Sequence, residues 1–187
     1  MSTKQKIRDT AHCLFYNDGI HATGIDRIIK QAGVAKQSFY NHFTSKHSLV
    51  MDYLDLRHQQ WLDLYTARLT VANTPQERIL AVYDAYQDHA EAHYLKGFRG
   101  CGLLNAAAEF PADSPERQQV SRYKAQIQQF IEHALLDLIP DRPELAAILA
   151  YEFAFLLEGS ISLAGLASRP ALIQLAKHSV TQRLEVL

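Results

Sequence analysis

The sequence is short of cysteine, of β-type alternation and of long apolar runs, and each shortage removes a class of protein. The two cysteines, Cys13 and Cys101, have no metal-type spacing and lie in segments of opposite charge, so both should be free thiols. The most apolar segment, residues 145–167, is interrupted by Glu152 and Glu158, and the N-terminus lacks the apolar run of a signal peptide. We therefore expect a soluble, cytoplasmic chain with no membrane span.

Runs of β-branched alternation are few, and there is no internal repeat or low-complexity tract. Helical periodicity instead extends through almost the whole chain, and glycine and proline residues separate its segments. The pattern predicts an all-α protein of about nine helices. Their approximate spans are 4–17, 23–33, 36–42, 46–69, 75–94, 102–109, 115–139, 143–166 and 170–185.

The net charge of −1 is small, but it conceals a strong asymmetry along the chain. Residues 1–50 contain seven Lys and Arg residues against three Asp residues, a net charge of +4, so residues 51–187 carry −5. We call residues 1–50 the head. Its positive charge, beside an acidic remainder of the chain, suggests that the head binds a polyanionic partner.

The stretch GVAKQSFYNHFTSK, residues 33–46, has the spacing of a helix-turn-helix motif. Gly33 can adopt the positive φ of a sharp turn, and Phe39 and Phe43 place two aromatic rings on one side of the next helix. The opposite side presents donors and acceptors suited to base edges and phosphates, namely Lys36, Gln37, Ser38, Tyr40 and Asn41. The motif therefore predicts a DNA-binding surface, although a short helical hairpin with a glycine turn shares the bare pattern.

Two capping signals flank this motif. The sequence Thr23-Gly24-Ile25-Asp26 fits a capping box, so the second helix should begin at Thr23. The sequence Thr44-Ser45-Lys46 should cap the long fourth helix and place a cation beside the third.

The run GIHATGIDRIIKQAGVAKQSFYNHFTSKHSLV, residues 19–50, resembles the DNA-binding signature of TetR-type (TetR/AcrR) transcriptional repressors. The residues that carry the resemblance are Gly19, Ile20, Thr23, Gly33, Val34, Phe39, Tyr40, His42, Phe43, Lys46 and Leu49. Two positions depart from the family pattern. Ala35 stands where a capping Ser or Thr is usual, and Ile29 where alanine is usual, so the third helix should be poorly capped and should pack less closely on the second.

The resemblance also implies roles for individual residues. Tyr40, His42 and Lys46 should contact phosphates or brace the third helix against the DNA backbone, and Thr23 belongs to the same DNA-binding set. Lys36, Gln37, Ser38 and Asn41 should lie where such proteins read bases. Residues 1–47 should then form a helix-turn-helix DNA-binding domain and residues 48–187 a helical ligand-binding and dimerisation domain.

The last two helices have the composition of a dimer surface. Small residues permit close approach of helices, and a two-fold DNA reader needs paired heads. The candidate interface residues are Ala147, Ala150 and Ala154 in the eighth helix and Leu172, Leu175, Ala176 and Val180 in the ninth. The alternative is that both helices only complete the core of a monomer.

Aromatic and polar side chains of the middle helices suggest a cavity for a small molecule. The candidate lining residues are Tyr65, Tyr86, His89, His93, Cys101, Asn105, Glu109, Tyr123 and Phe155. The alternative for each of them is ordinary packing, because aromatic residues at helical spacing are core residues first.

His89 and His93 stand four residues apart on one helix and could in principle chelate a metal ion. Glu91 is not placed as the base of a zinc-protease helix, and no third ligand is evident. No nucleophile elbow, phosphate loop or paired-carboxylate frame is present either. We therefore expect no metal, no cofactor and no enzymatic activity.

Cys101 has two cations close in sequence, Lys96 and Arg99, and a glycine on either side. Such surroundings could favour an accessible thiolate that reacts with electrophiles. Some repressors that resemble this chain sense reactive compounds through a cysteine in a comparable segment. The alternative is a small buried residue at a helix start.

Together these patterns predict a cytoplasmic, homodimeric transcriptional repressor. It should bind palindromic double-stranded operator DNA and be released by a small-molecule inducer. The alternative from another class is a small helical metal-binding protein or enzyme whose head does not bind DNA.

Overall fold

The computed structural model describes residues 1–92 and 94–187, and over these residues it forms nine α-helices and no strand. The helices are α1 (Thr3–Asp18), α2 (Ile25–Ala32), α3 (Lys36–His42), α4 (Lys46–Leu69), α5 (Pro75–Glu91), α6 (Gly102–Ala108), α7 (Pro115–Leu138), α8 (Pro143–Leu166) and α9 (Leu172–Glu185). The all-α prediction is confirmed, and the predicted bounds agree to within two residues except at the end of α5.

The chain divides into two compact units. The first contains Met1–Gln59 and Gly102–Val120, and the second contains Gln60–Cys101 and Ser121–Leu187. The boundary therefore falls inside α4, and α6 and the start of α7 group with the N-terminal helices. The predicted functional division into residues 1–47 and 48–187 does not coincide with these units and stays a prediction.

The start of α2 differs from its predicted form. Its N-cap is Gly24, which makes no side-chain capping bond, so the predicted capping box is wrong. Thr23 is fully buried, and its hydroxyl donates to the carbonyl of Gly19 at 2.7 Å instead. The hydroxyl thus closes the turn between α1 and α2 rather than opening α2.

The start of α4 follows its prediction, with Ser45 as the capping residue. The Ser48 N–H donates to Ser45 Oγ at 3.0 Å, and the Ser45 N–H donates to Ser48 Oγ at 3.2 Å. These reciprocal bonds satisfy two backbone donors that the helix itself leaves unpaired.

In the first unit, α1 packs against α2, α3 and α6. Ile7, Ala11 and Phe15 are buried on α1, and Ile28 is buried on α2. Between α2 and α3 the chain turns at Gly33, whose φ of 62° lies in the left-handed region that glycine adopts without strain. The predicted glycine turn is therefore confirmed.

In the second unit, α8 packs against α5 and α9. Leu149, Phe153 and Leu157 of α8 are fully buried. By length and composition alone α8 could cross a membrane, but a core helix of a water-soluble protein passes the same test.

Gly165, near the end of α8, lies against the backbone at Gly100. A Cβ atom added at Gly165 would stand 2.3 Å from the Gly100 nitrogen, which is closer than non-bonded atoms can approach. The close approach of these two backbone segments therefore requires glycine at position 165.

We predict that Gly165→Ala lowers the free energy of unfolding by about 1–3 kcal/mol, because backbone atoms must move to admit the methyl group. The matched control is Gly159→Ala in the same helix, where nothing lies within 4 Å of the added atom. The control should raise stability by about 0.5–1 kcal/mol through helix propensity. Urea unfolding followed by circular dichroism measures both, and equal stability of the two variants would contradict the close approach.

Candidate functional site

The helix α3 presents a polar face to solvent because two aromatic side chains anchor its other face. Phe39 is fully buried and Phe43 is 4% exposed, with ring centroids 6.1 Å apart. Exposed on the opposite face are Lys36, Gln37, Tyr40, Asn41 and His42, while Ser38 is half-buried. The predicted burial of the two aromatic rings and exposure of the polar side chains are confirmed.

Side-chain bonds order part of this face. Gln37 Nε2 donates to Asn41 Oδ1 at 3.1 Å, one turn apart along α3. The N-cap of α3 is Ala35, which makes no side-chain capping bond, as predicted. The first amides of α3 therefore have no capping side chain, and packing of the aromatic face stabilises the helix.

Several lysines of the first unit are exposed to solvent. Lys4, Lys6 and Lys30 are exposed, and Lys36 lies 3.6 Å from the carboxylate of Asp26 in a pair that is open to solvent on both sides. Such an exposed ion pair contributes little stability, so its lysine can exchange a carboxylate for a phosphate at small cost.

Lys46 lies at the start of α4, and partial burial lowers the pKa of its ammonium, an effect that the charge of Glu109 opposes.

Thr23 is different from the other predicted DNA-binding residues. Its side chain is fully buried and its hydroxyl is bonded to Gly19, so it cannot offer that hydroxyl to a phosphate. Its place in the predicted DNA-contacting set is corrected to a structural one.

Glu109 and Asn105 were expected to line a ligand cavity, but both belong to the first unit. The Glu109 carboxylate accepts hydrogen bonds from the backbone N–H groups of Ile20 at 2.8 Å and His21 at 2.7 Å. Asn105 is exposed on α6. Glu109 therefore fixes the turn between α1 and α2, next to the helix-turn-helix motif.

The second unit contains a cluster of polar side chains around Lys124 of α7. Its ammonium lies 2.7 Å and 2.8 Å from the two carboxylate oxygens of Glu158, 2.9 Å from Tyr86 Oη and 3.3 Å from Cys101 Sγ. Tyr86 in turn donates its hydroxyl to Glu158 Oε1 at 2.8 Å. Four residues from three helices and one loop thus form one hydrogen-bonded group.

The protonation states of this group follow from its surroundings. Burial disfavours the charged form of Lys124, but the neighbouring Cys101, Tyr86 and Glu158 outweigh it and raise the pKa of this ammonium well above its usual value. Burial and the Glu158 carboxylate raise the pKa of the Tyr86 phenol well above its usual value. At neutral pH Lys124 is therefore charged and Tyr86 keeps its proton.

A cavity of about 300 Å³ opens beside this cluster, between α7 and α8. Its walls combine apolar side chains with two aromatic rings and the charged pair. The lining residues are Ser121, Lys124, Ala125, Ile127, Gln128, Tyr151, Ala154, Phe155, Leu157 and Glu158. Of the predicted lining residues, Phe155 lies in the cavity wall. Tyr86 and Cys101 are not in the wall, but both are hydrogen-bonded to Lys124, which is.

The other predicted lining residues lie elsewhere. Tyr65 stacks on Trp61 and Phe130 at centroid distances of 5.2 Å and 5.1 Å. The His89 ring packs against Tyr94. Tyr123 lies half-buried on α7 and is not among the residues lining the cavity. His93 lies outside the described residues, and within them no group of three potential metal ligands occurs.

Cys101 is buried, with only 8% of the residue exposed, so the hypothesis of an accessible thiol is not supported. Its contacting cation is Lys124, not either of the two cations close to it in sequence. Burial favours the alternative that the sequence left open, a small residue that fills space at the start of a helix.

Sequence reasoning missed Lys124 and Glu158, although a signal for Lys124 is present. It stands four residues after Val120 and three before Ile127, both buried, so it falls in register with the apolar stripe of α7. A charged residue on a buried stripe needs a partner. The sequence could not identify that partner, because Glu158 lies 34 residues away.

The predicted dimer residues separate into two groups. Ala150, Ala176 and Val180 are buried within their own chain, so they offer a partner little or no surface and are corrected to core residues. Ala147, Ala154 and Leu172 are half-buried, and Leu175 is 59% exposed. The large apolar side chains that α8 does expose are Ile148, Tyr151, Phe155, Leu156, Leu163 and Leu166.

Comparison with known protein families gives two matches along the chain. A family model described as bacterial regulatory proteins of the tetR family matches residues 7–52, and a tetracyclin repressor-like C-terminal domain matches residues 75–180. The first match contains α3 and its exposed face, and the second contains the Lys124 cluster and the cavity.

Curated relatives match over part of their length. The transcriptional activator FasR of Mycolicibacterium smegmatis is 31% identical over 86 residues, which is 46% of this chain and 39% of FasR. The transcriptional regulator QacR of Staphylococcus aureus is 27% identical over 110 residues, which is 59% of this chain and 54% of QacR. The chain thus spans about two fifths to one half of the curated relatives it matches.

Solved structures match over nearly the whole chain. A TetR-family regulator from Streptomyces coelicolor superposes with a TM-score of 0.88 at 25% identity, covering 98% of this chain and 94% of that one. A TetR regulator from Chloroflexus aurantiacus superposes with a TM-score of 0.83 at 25% identity and the same coverage. The two family matches and the shared fold show that this chain belongs to the TetR family of DNA-binding transcriptional regulators.

Proposed function

We propose that the chain is a homodimeric, cytoplasmic repressor that binds a palindromic operator through α3 and is released by a small molecule bound in the second unit. The observation that carries the proposal is the two-faced α3, with Phe39 and Phe43 buried and a continuous polar face in solvent. A helix of this kind can enter the major groove and offer its side chains to base edges.

The exposed apolar face of α8 supports the dimer. Ile148, Leu163 and Leu166 are 64%, 59% and 85% exposed, and Leu175 of α9 adds to them. Exposed apolar side chains grouped on one helix are typical of an interface between subunits. Two copies joined through this face would carry two α3 helices, as a palindromic operator with half-sites about 34–36 Å apart requires.

The cavity beside Lys124 supports a small-molecule effector. Its volume and its mixture of apolar walls with a few polar groups are those of ligand sites. An effector needs only to favour a non-binding arrangement of the two heads by a few kcal/mol to release DNA. Reversible binding accounts for release better than covalent modification, because the Cys101 thiol is buried.

The decisive experiment for DNA binding is selection of bound sites from random double-stranded DNA, followed by gel shift with the selected operator. Enrichment of an inverted repeat supports the proposal, and no enrichment of any sequence contradicts it.

Repeating the gel shift with and without a chelator tests the alternative that the chain is a metal-binding protein. Expression of a reporter gene placed behind the operator distinguishes the two directions of regulation. Expression falls if the chain represses transcription, and it rises if the chain activates transcription, as the name of FasR states for that protein.

We predict that Gln37→Ala and Lys46→Ala impair DNA binding in different ways. Gln37 is exposed on α3, so its loss should cost about 1–3 kcal/mol on the operator and relax preference at one position in each half-site. Loss of Lys46 should weaken binding to all sequences alike and reduce the slope of log K against log salt by about 1. Fluorescence anisotropy titrations at several salt concentrations measure both effects.

Two variants control this comparison. Lys46→Arg keeps the cation and should retain the salt slope, while Lys96→Ala removes an exposed cation from the second unit and should leave DNA binding unchanged. Wild-type affinity in both Gln37→Ala and Lys46→Ala would exclude α3 and the start of α4 as the contact surface.

We predict that Leu163→Arg yields monomers that no longer bind the operator. The substitution would place an unpaired charge in the exposed apolar face of α8, where a partner would have to bury it. Sedimentation velocity at micromolar concentration measures the mass. Val71→Arg, an equally drastic change at a site 70% exposed outside this face, should remain dimeric. A monomeric wild-type protein would contradict the dimer.

A further inference from the structure

We infer that the cavity between α7 and α8 binds small, neutral aromatic molecules that carry a hydroxyl donor, that is, phenols, and that it discriminates against ions. The inference names the ligand class of the site proposed above. It rests on the proposed function only for the consequence that binding has for DNA.

The first step is that Lys124 has no proton to offer a ligand. Its three N–H bonds face four acceptor atoms within 3.3 Å: both oxygens of Glu158, Tyr86 Oη and Cys101 Sγ. An anionic ligand would have to break one of these bonds to reach the ammonium. It would also stand beside the carboxylate of Glu158, which lines the same cavity.

The second step is that Glu158 keeps acceptor capacity. Its Oε1 atom accepts from Tyr86 and Lys124, whereas Oε2 accepts from Lys124 alone among the described residues. A carboxylate offers about four lone-pair positions in all. The Glu158 carboxylate at the polar end of the cavity can therefore accept one more hydrogen bond. It selects a ligand that carries a hydrogen-bond donor.

The third step excludes cations as the preferred donors. The Lys124 ammonium lies 2.7 Å from Glu158 Oε1 and already neutralises the carboxylate. A second cation at Glu158 would stand within a few ångströms of that ammonium in a partly buried site, where like charges repel more strongly than in water. A neutral O–H group meets neither repulsion.

The remaining walls specify an aromatic body. Tyr151 and Phe155 lie together at the mouth, with ring centroids 6.1 Å apart, and Ile127 and Leu157 are buried at the inner wall. Flat rings pack well on such a surface. The volume of about 300 Å³ is at the lower limit for ligand pockets, so it suits a molecule of one or two rings.

Isothermal titration calorimetry of the full chain tests the inference with four matched probes. They are para-ethylphenol, para-ethylanisole, para-ethylbenzoate and para-ethylbenzylammonium, which share a ring and tail and differ in donor and charge. We expect the phenol to bind at least about 10-fold more tightly than the anisole, the effect of one hydrogen bond to a charged acceptor. Both ions should bind more weakly than the phenol.

Two variants and one control assign the effect to the cavity. Glu158→Gln should reduce the preference for phenol over anisole to about threefold or less, because a neutral amide oxygen is a weaker acceptor than a carboxylate. It should also improve benzoate binding, because it removes the carboxylate charge that repels an anion and leaves the Lys124 charge without its counter-ion. Phe155→Ala, at a residue 71% exposed, should weaken phenol and anisole alike and keep their ratio. Val71→Ala, at a residue 70% exposed that lies outside both the cavity wall and the apolar face of α8, should change neither affinity.

The outcomes separate this inference from the proposed function. Equal binding of phenol and anisole to the wild-type protein, tighter binding of either ion, or no binding of the phenol would each overturn it. Retention of the phenol preference in Glu158→Gln would also overturn it, because a group other than the Glu158 carboxylate would then bind the ligand hydroxyl. If phenols bind as expected but leave the operator complex intact in gel shifts, the ligand class stands and the proposed release mechanism fails.

Discussion

The exposed polar face of α3 depends on the burial of Phe39 and Phe43. A helix of seven residues such as α3 does not persist in water by itself, because the cost of nucleation exceeds what so few hydrogen bonds return. Ala35 adds no capping bond, so tertiary packing is the main source of its stability. The same packing that makes α3 a helix also determines which of its side chains face solvent.

The turn between α1 and α2, which precedes this motif, is held by a few side-chain hydrogen bonds to the backbone. Glu109 reaches from the end of α6 to two consecutive amides, those of Ile20 and His21, and Thr23 closes the turn through Gly19. Carboxylates that accept from two backbone N–H groups form short, strong bonds. Residues far from α3 in sequence therefore set the direction in which the chain enters α2, and with it the geometry of the whole motif.

Much of the fold was predictable because helical periodicity is a local signal. The spacing of Phe39 and Phe43 was enough to place the two faces of α3, and Gly33 was enough to place its turn. Thr23 was misread because its hydroxyl had two possible partners, and the choice between them depends on the turn at Gly19. Val180 was misread because an apolar stripe looks the same whether its own chain or a partner covers it. The Lys124–Glu158 pair joins α7 to α8 across 34 residues, a distance that no local pattern bridges.

That pair also explains how α8 can be apolar on nearly every side and still have a defined orientation. Its buried face contains Phe153 and Leu157, and its exposed face contains Ile148 and Leu163, so apolar packing alone distinguishes poorly between rotations of the helix. A rotation by one residue, about 100°, would carry Glu158 away from Lys124 and leave a charge unpaired in a partly buried site. The ion pair therefore selects one rotation, and by doing so it determines which apolar residues remain on the surface for a partner and which line the cavity. In this helix the surface proposed for dimerisation and the site proposed for the ligand therefore both depend on the same partly buried ion pair.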